Sequence, residues 1–160
     1  MGTLVVYFSF DGNTKFIAEK IAETINADII ELKTSKRYPT EGFLKYFWGG
    51  KSVIFGEKPK LINASIDLNR YETVFIGTPV WAESYTPPIK SFISQYKLQG
   101  KRIAQFASHG GNGAEKCFAK LKAALPGNEF IGEMAFLKPK KNSEESSNKA
   151  VKWATDLLTV

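Results

Sequence analysis

Five short apolar runs alternate with segments of helical periodicity along the 160 residues of this chain. The predicted strands cover residues 3–8, 28–32, 73–78, 102–108 and 130–137. The predicted helices cover residues 13–25, 40–48, 113–125 and 143–158, and a further helix begins after Thr86. Apolar strands separated by helices pair in parallel and are covered on both faces. We therefore expect a three-layer, doubly wound α/β sandwich in a single domain, residues 1–160.

Two predicted helix starts carry a hydroxyl that can accept a free backbone N–H group. Thr86 precedes Pro87 and Pro88, and proline suits the first helical turn because its missing N–H would be unpaired there. Ser143 precedes two glutamates, whose charge suits the positive end of a helix. We expect Thr86 and Ser143 to cap the helices that follow them.

Composition limits the function classes that remain open. No apolar run approaches the roughly 18 residues that a membrane helix needs, so we expect no membrane association. No signal peptide is visible and Cys117 is the single cysteine, so the cytoplasm is the expected location. The net charge of +6 comes from basic residues scattered among acids. We expect no nucleic-acid partner, but a solvated basic surface or one that attracts anionic small molecules and acidic proteins.

Polar loops follow the first, third and fourth strands, whose carboxyl ends meet at one edge of a parallel sheet. The first loop reads SFDGNT, residues 9–14. Free N–H groups at a helix start, hydroxyls, an amide and a close backbone approach at Gly12 suit a phosphate, held without a lysine. The loop is neither a P-loop nor a GxGxxG sequence. The alternative is a well-capped helix start that binds nothing.

The other two loops could form an apolar wall and an open wall of the same pocket. The loop over residues 77–85 carries Trp81, which either offers a face to a flat ring or folds back into the core. The loop over residues 108–113 reads SHGGNG and contains His109, which has no partners for a metal site and is either functional or an ordinary hydrogen-bonded loop residue. Together, the three loops predict a pocket for a phosphorylated flat heterocycle.

The chain resembles the flavodoxin family over essentially its whole length. YFSFDGNT is similar to the family's phosphate loop, usually Thr/Ser-x-Thr/Ser-Gly-Asn-Thr, while GTPVWAESYTPPIKSF and ASHGGNG are similar to its second and third flavin loops. The resemblance implies a five-stranded parallel sheet of order 2-1-3-4-5, bound FMN, and electron transfer through the isoalloxazine ring. We expect no catalytic residue and no metal site. The implied FMN-binding residues are Ser9, Phe10, Asp11, Gly12, Asn13 and Thr14 around the phosphate, Thr78, Pro79, Val80, Trp81 and Ala82 along the ring, and Ser108, His109, Gly110 and Gly111 beside its pyrimidine side.

Two positions depart from the family pattern. Asp11 stands where the family often has a hydroxyl residue, and a carboxylate beside a phosphate would repel it. We expect this carboxylate to point away from the phosphate or to accept a local N–H, so that Asp11 contributes only its backbone. Ala82 stands where many electron carriers have glycine, and a positive φ there costs alanine about 1 kcal/mol or more.

Three functions remain open on these residues. The first is a flavodoxin that exchanges electrons with redox partner proteins, as a monomer or weak homodimer. The second is a reductase that passes electrons from NAD(P)H to a quinone, nitro or azo compound, since SHGGNG offers no aromatic to cover one ring face. Lys36 and Arg37 could then attract an anionic cofactor or substrate, but we expect them to be solvated surface residues. The third is a flavin-free binding module on the same fold.

Overall fold

The computed structural model describes residues 1–35, 38, 50–51, 53 and 56–159. The five strands are β1 (Gly2–Tyr7), β2 (Asp28–Glu31), β3 (Tyr71–Pro79), β4 (Arg102–His109) and β5 (Glu129–Leu137). The helices are α1 (Asn13–Ile25), α2 (Pro87–Gln95), α3 (Ala114–Ala124) and α4 (Ser143–Leu158). The predicted elements within these residues are all present. The predicted helix over 40–48, together with Lys36 and Arg37, lies outside the described residues.

The strands form one parallel sheet in the order β2-β1-β3-β4-β5, which confirms the expected topology. Side chains alternate between its two faces. Leu4, Val74 and Ile103 pack with helices α2 and α3 on one face. Val5 and Phe75 belong to the cluster with α1 and α4 on the other face. The result is the expected three-layer sandwich. No helix among the described residues is long and apolar enough to cross a membrane.

The chain leaves β1 toward β2 on one side, whereas β3 pairs with β1 on the other side. The strand order therefore switches direction between β1 and β3, and their carboxyl ends leave a crevice of the kind that binds ligands in such sheets. The amide of Phe8 donates to the carbonyl oxygen of Gly77 at 3.1 Å, so the two strand ends stay paired up to this point. The loops that follow β1 and β3 therefore begin side by side.

The predicted helix caps differ in detail from those in the structure. Thr86 is the N-cap residue of α2, but its hydroxyl makes no capping hydrogen bond and instead lies 3.2 Å from the Thr78 hydroxyl, which also accepts the Thr86 N–H at 3.1 Å. The prediction that Ser143 caps α4 is wrong, since Asn142 is the N-cap residue and Ser143 is already helical. The Asn142 side chain donates to the Leu137 carbonyl at 2.9 Å, which fixes the turn at that residue.

Candidate functional site

The SFDGNT loop is closed by its own side chains. The Ser9 hydroxyl accepts the Lys15 N–H at 3.1 Å, and the Asp11 carboxylate accepts the Asn13 N–H at 3.1 Å. Both bonds satisfy N–H groups that a helix start leaves without an internal partner. Gly12, at φ 92°, makes the left-handed turn that leads into α1. The expectation that the Asp11 carboxylate accepts a local N–H is confirmed.

Thr14 faces inward from the first turn of α1. Its hydroxyl lies 2.7 Å from the Ser108 hydroxyl, and the two residues are only 1% and 5% exposed. One of these hydroxyls donates to the other, and the second keeps its own hydrogen for a further acceptor. The first and third loops are thus joined by a buried hydrogen bond.

The second loop turns tightly after Trp81. The amide of Trp81 donates to the Ser84 carbonyl at 3.0 Å, and the Ser84 amide donates back at 2.9 Å. The two central residues, Ala82 and Glu83, have φ values of 48° and 57°. A two-residue turn with both φ positive normally uses Asn-Gly, so a side chain at each position costs about 1 kcal/mol. Ala82 therefore adopts the positive φ that is costly for alanine.

Two contacts hold this turn in place. The Lys116 ammonium donates to the Glu83 carboxylate at 2.8 Å, and this bond lowers the pKa of the carboxyl group. A β-carbon on Gly113 would lie 3.3 Å from the Glu83 Cα, so the turn packs directly against the start of α3. The backbone next to Trp81 is therefore fixed from outside the second loop.

The Trp81 ring makes edge-to-face contacts with three other aromatic rings. Its centroid lies 5.8 Å from that of Phe8, 5.5 Å from Phe10 and 5.2 Å from Tyr38, with interplanar angles of 75–87°. Edge-to-face contacts at such distances are favourable for aromatic pairs. The ring is partly buried against the core and also lines a cavity. Trp81 therefore both packs on the core and offers surface to a ligand, the two alternatives that the sequence left open.

His109 ends β4 and organises the third loop. Its Nδ1 accepts the Gly111 N–H at 3.1 Å, which requires an unprotonated Nδ1. Burial, and then the charge of Lys149, lowers the pKa of His109 and favours the neutral ring. A β-carbon at Gly110 or Gly111 would meet no described atom within 4 Å, so this wall is open. The described residues contain no group of three or more metal-binding side chains.

These loops enclose a cavity of about 490 Å³. Its volume lies within the about 300–1,000 Å³ typical of small-molecule sites. The predicted site residues that line it are Phe10, Asp11, Asn13, Pro79, Val80, Trp81, Ala82, Ser108, His109 and Gly110. Ser9, Gly12, Thr14, Thr78 and Gly111 were also predicted, and they support the loops without lining the cavity. Thr78, for example, is fully buried and holds Thr86.

The model of the family described as Flavodoxin matches residues 2–154. This chain belongs to the flavodoxin family. No curated protein matches it at a significant level.

Solved structures share the flavodoxin fold. The flavoprotein from Lactobacillus acidophilus NCFM, in complex with FMN, is 26% identical and covers 89% of this chain and 97% of its own, with a TM-score of 0.75. A protein from Bacteroides uniformis ATCC 8492 has a TM-score of 0.84 at 23% identity, covering 96% and 97%. The flavodoxin, WrbA-like protein from Agrobacterium tumefaciens has a TM-score of 0.64 at 19% identity, covering 97% and 96%. The last two show the fold alone.

This flavodoxin-family chain has a fourth loop at the same edge, between β5 and α4, which sequence reasoning missed. Lys138 lines the cavity. The Lys140 ammonium donates to the Asp11 carbonyl at 3.0 Å, and the Lys140 amide donates to the Asn13 side-chain oxygen at 3.0 Å. A lysine from another loop therefore lies against the predicted phosphate loop, a contact that the sequence analysis did not include. The signal in the sequence that could have identified this loop is the run of lysines directly after the fifth strand, because the carboxyl end of that strand points to the same edge.

Proposed function

We propose that this chain binds FMN and transfers electrons through its isoalloxazine ring. The observation that carries the proposal is the position of the SFDGNT loop, which opens a helix beside an aromatic-lined cavity of about 490 Å³. A helix start suits a phosphate, and an apolar cavity with a few polar groups suits a flat ring. Family membership and the FMN complex of the Lactobacillus relative support FMN as the molecule that combines both.

The residues present fit FMN. The backbone and side chains of residues 9–14 would hold the phosphate, with the Lys140 ammonium beside them. Pro79, Val80, Trp81 and Ala82 would lie along the ring, and His109 and Gly110 would lie at its other end. The bound flavin supplies the electron-transfer chemistry, and the protein supplies binding, orientation and electrostatics.

The chain's own residues would fix the ring's surroundings. Three edge-to-face aromatic contacts and a doubly hydrogen-bonded turn restrict Trp81, so it offers a rigid apolar wall that excludes water. His109 is neutral and accepts the Gly111 N–H, which keeps the glycine backbone in place. Lys138 adds a cationic residue to the cavity wall and favours electron uptake by the bound molecule.

A reductase is the second candidate, and the open glycine wall favours it. Space at Gly110 and Gly111 would admit a hydride donor or a small acceptor next to the ring. NAD(P)H would be the donor and a quinone, nitro or azo compound the acceptor. The net charge of +6 would attract such anionic donors. In the carrier role, redox partner proteins would replace both small molecules.

Anaerobic mixing of the FMN-loaded protein with NADPH or NADH separates the two candidates. Rapid bleaching of the flavin absorbance without any partner protein would support the reductase, provided that free FMN bleaches slowly under the same conditions. A yellow colour that persists with both donors, but disappears with a reduced partner protein, would support the carrier. A protein that takes up no FMN would contradict both.

A further inference from the structure

The Lys140 side chain lies across the glycine of the SFDGNT loop. A β-carbon on Gly12 would be 3.2 Å from the Lys140 Nζ and 3.5 Å from its Cδ. The ammonium donates to the Asp11 carbonyl at 3.0 Å, and the backbone amide of Lys140 donates to the Asn13 side chain at 3.0 Å. The Lys140 side chain therefore places a positive charge on the loop, and the Lys140 backbone amide separately holds the loop through Asn13.

The loop needs such a charge. Asp11 keeps its carboxylate at the start of α1, where it accepts the Asn13 N–H. A phosphate monoester adds about −1.5 to −2 charge, whereas a helix start supplies only about +0.5. Lys15 lies nearby, but its ammonium is shared between Glu19 and Glu31, each at 3.9 Å. Lys140 forms no ion pair within the described part of the chain, and its partner in the loop is a neutral carbonyl.

The β5–α4 loop that carries Lys140 is held in shape. Lys138 has a φ of 40°, which is unusual for a residue with a side chain. Its amide donates to the His109 carbonyl at 2.9 Å, and its carbonyl accepts the amides of Lys141 and Asn142 at 2.9 and 3.1 Å. The position of Lys140 is thus set by the fold before any ligand binds.

From these contacts we infer that Lys140 is a phosphate-recognition residue, which makes this chain select FMN over a flavin without a phosphate. The ammonium has three donors, and one of them goes to the Asp11 carbonyl. The others remain for phosphate oxygens above Gly12, where they balance the Asp11 charge. This inference rests on the proposed function, because it names the group that the site distinguishes.

The test is to titrate the full-length apoprotein with FMN and, separately, with riboflavin, following quenching of flavin fluorescence. Lys140→Met removes the ammonium but keeps the backbone hydrogen bond to Asn13, Lys140→Arg keeps the charge, and Lys141→Met removes a neighbouring charge of the same loop. We expect Lys140→Met to weaken FMN binding about tenfold or more and to leave riboflavin binding within about twofold of wild type. Lys140→Arg should recover most of the FMN affinity, and Lys141→Met should change neither flavin.

Equal weakening of FMN and riboflavin by Lys140→Met would overturn the inference, because it would show a role in loop shape alone. Unchanged FMN binding in Lys140→Met would also overturn it, and either result leaves the proposed function standing as long as the wild type binds FMN. A wild type that binds neither flavin would overturn the proposed function and this inference together. Circular dichroism confirms that each variant is folded before titration.

Discussion

The hydroxyl groups of Thr14 and Ser108 lie 2.7 Å apart, and their hydrogen bond joins the first turn of α1 to the end of β4. Residues on either side of this bond belong to the two ends of the site, the SFDGNT loop and the SHGGNG wall. Because both hydroxyls are almost fully buried, water cannot replace either partner. The bond therefore couples the geometry of the two ends.

Removing one of these hydroxyls should destabilise the protein. Thr14→Val leaves the Ser108 hydroxyl buried without its partner, and we expect a loss of about 1–3 kcal/mol in unfolding free energy, measured in urea. Adding Ser108→Ala should cost less than the sum of the single changes. Thr155→Val is the control, since that exposed hydroxyl bonds only to its own helix, and it should cost under about 0.5 kcal/mol. Strictly additive losses would show that the two hydroxyls are not coupled.

Glycine at position 82 should stabilise the turn after Trp81. Ala82 has a φ of 48°, so Ala82→Gly relieves strain in the folded state and should raise the unfolding free energy by about 0.5 kcal/mol. Ala119→Gly, in the middle of the exposed face of α3, should lower it by about 1 kcal/mol. Urea unfolding of both variants measures the contrast. A loss of stability in Ala82→Gly would mean that the left-handed turn is not strained.

Acidification should weaken the folded protein through His109. Folding lowers the pKa of His109 below its ordinary 6.5, so the unfolded chain takes up this proton first as the pH falls. The contribution to stability is complete above pH 6.5 and is lost as the pH falls through the lower folded pKa. Protonation of Nδ1 also breaks its bond from the Gly111 N–H.

The control variant for this prediction is His109→Asn. Its side-chain oxygen replaces Nδ1 as the hydrogen-bond acceptor but does not titrate. Between about pH 7.5 and pH 5, the wild type should lose more unfolding free energy than this variant. An NMR titration of the single histidine supplies the pKa directly. A measured value of 6.5 would abolish the effect, and a higher value would reverse its sign.

The Asp11 carboxylate should oppose FMN binding only weakly. It accepts a local N–H, is exposed to water, and lies in a loop whose charge Lys140 balances. Asp11→Asn keeps an oxygen for the Asn13 N–H and removes the charge, so we expect FMN to bind less than about threefold more tightly. Fluorescence titration at low and high salt measures the difference. A gain of a hundredfold would mean that the carboxylate faces the phosphate directly.

The fold was predictable because its signals are local. Apolar runs and helical periodicity mark the strands and helices, and one topological rule places the loops after β1, β3 and β4 at the same edge. Pro87 and Pro88 set the start of α2 for the same local reason. By contrast, the predicted N-cap of α4 was wrong by one residue, because the Asn142 side chain hydrogen-bonds to Leu137 at the end of β5.

The use of each polar group was harder to predict. The sequence offers the hydroxyls of Thr14 and Thr78 as ligands, and the structure shows that the first is also hydrogen-bonded to Ser108 and the second to Thr86. Lys140 and Asp11 are 129 residues apart, and their contact depends on the whole sheet being assembled. Residue types and local spacing identify candidate donors, whereas packing decides which of them remain available for a ligand.

The most direct test of FMN binding is to identify what the purified protein carries. The protein is denatured with acid, and any released chromophore is separated and weighed by mass spectrometry, before and after incubation with FMN and removal of the excess. We expect a yellow protein that releases FMN at one molecule per chain. A colourless protein that releases no flavin, even after incubation with FMN, would contradict it.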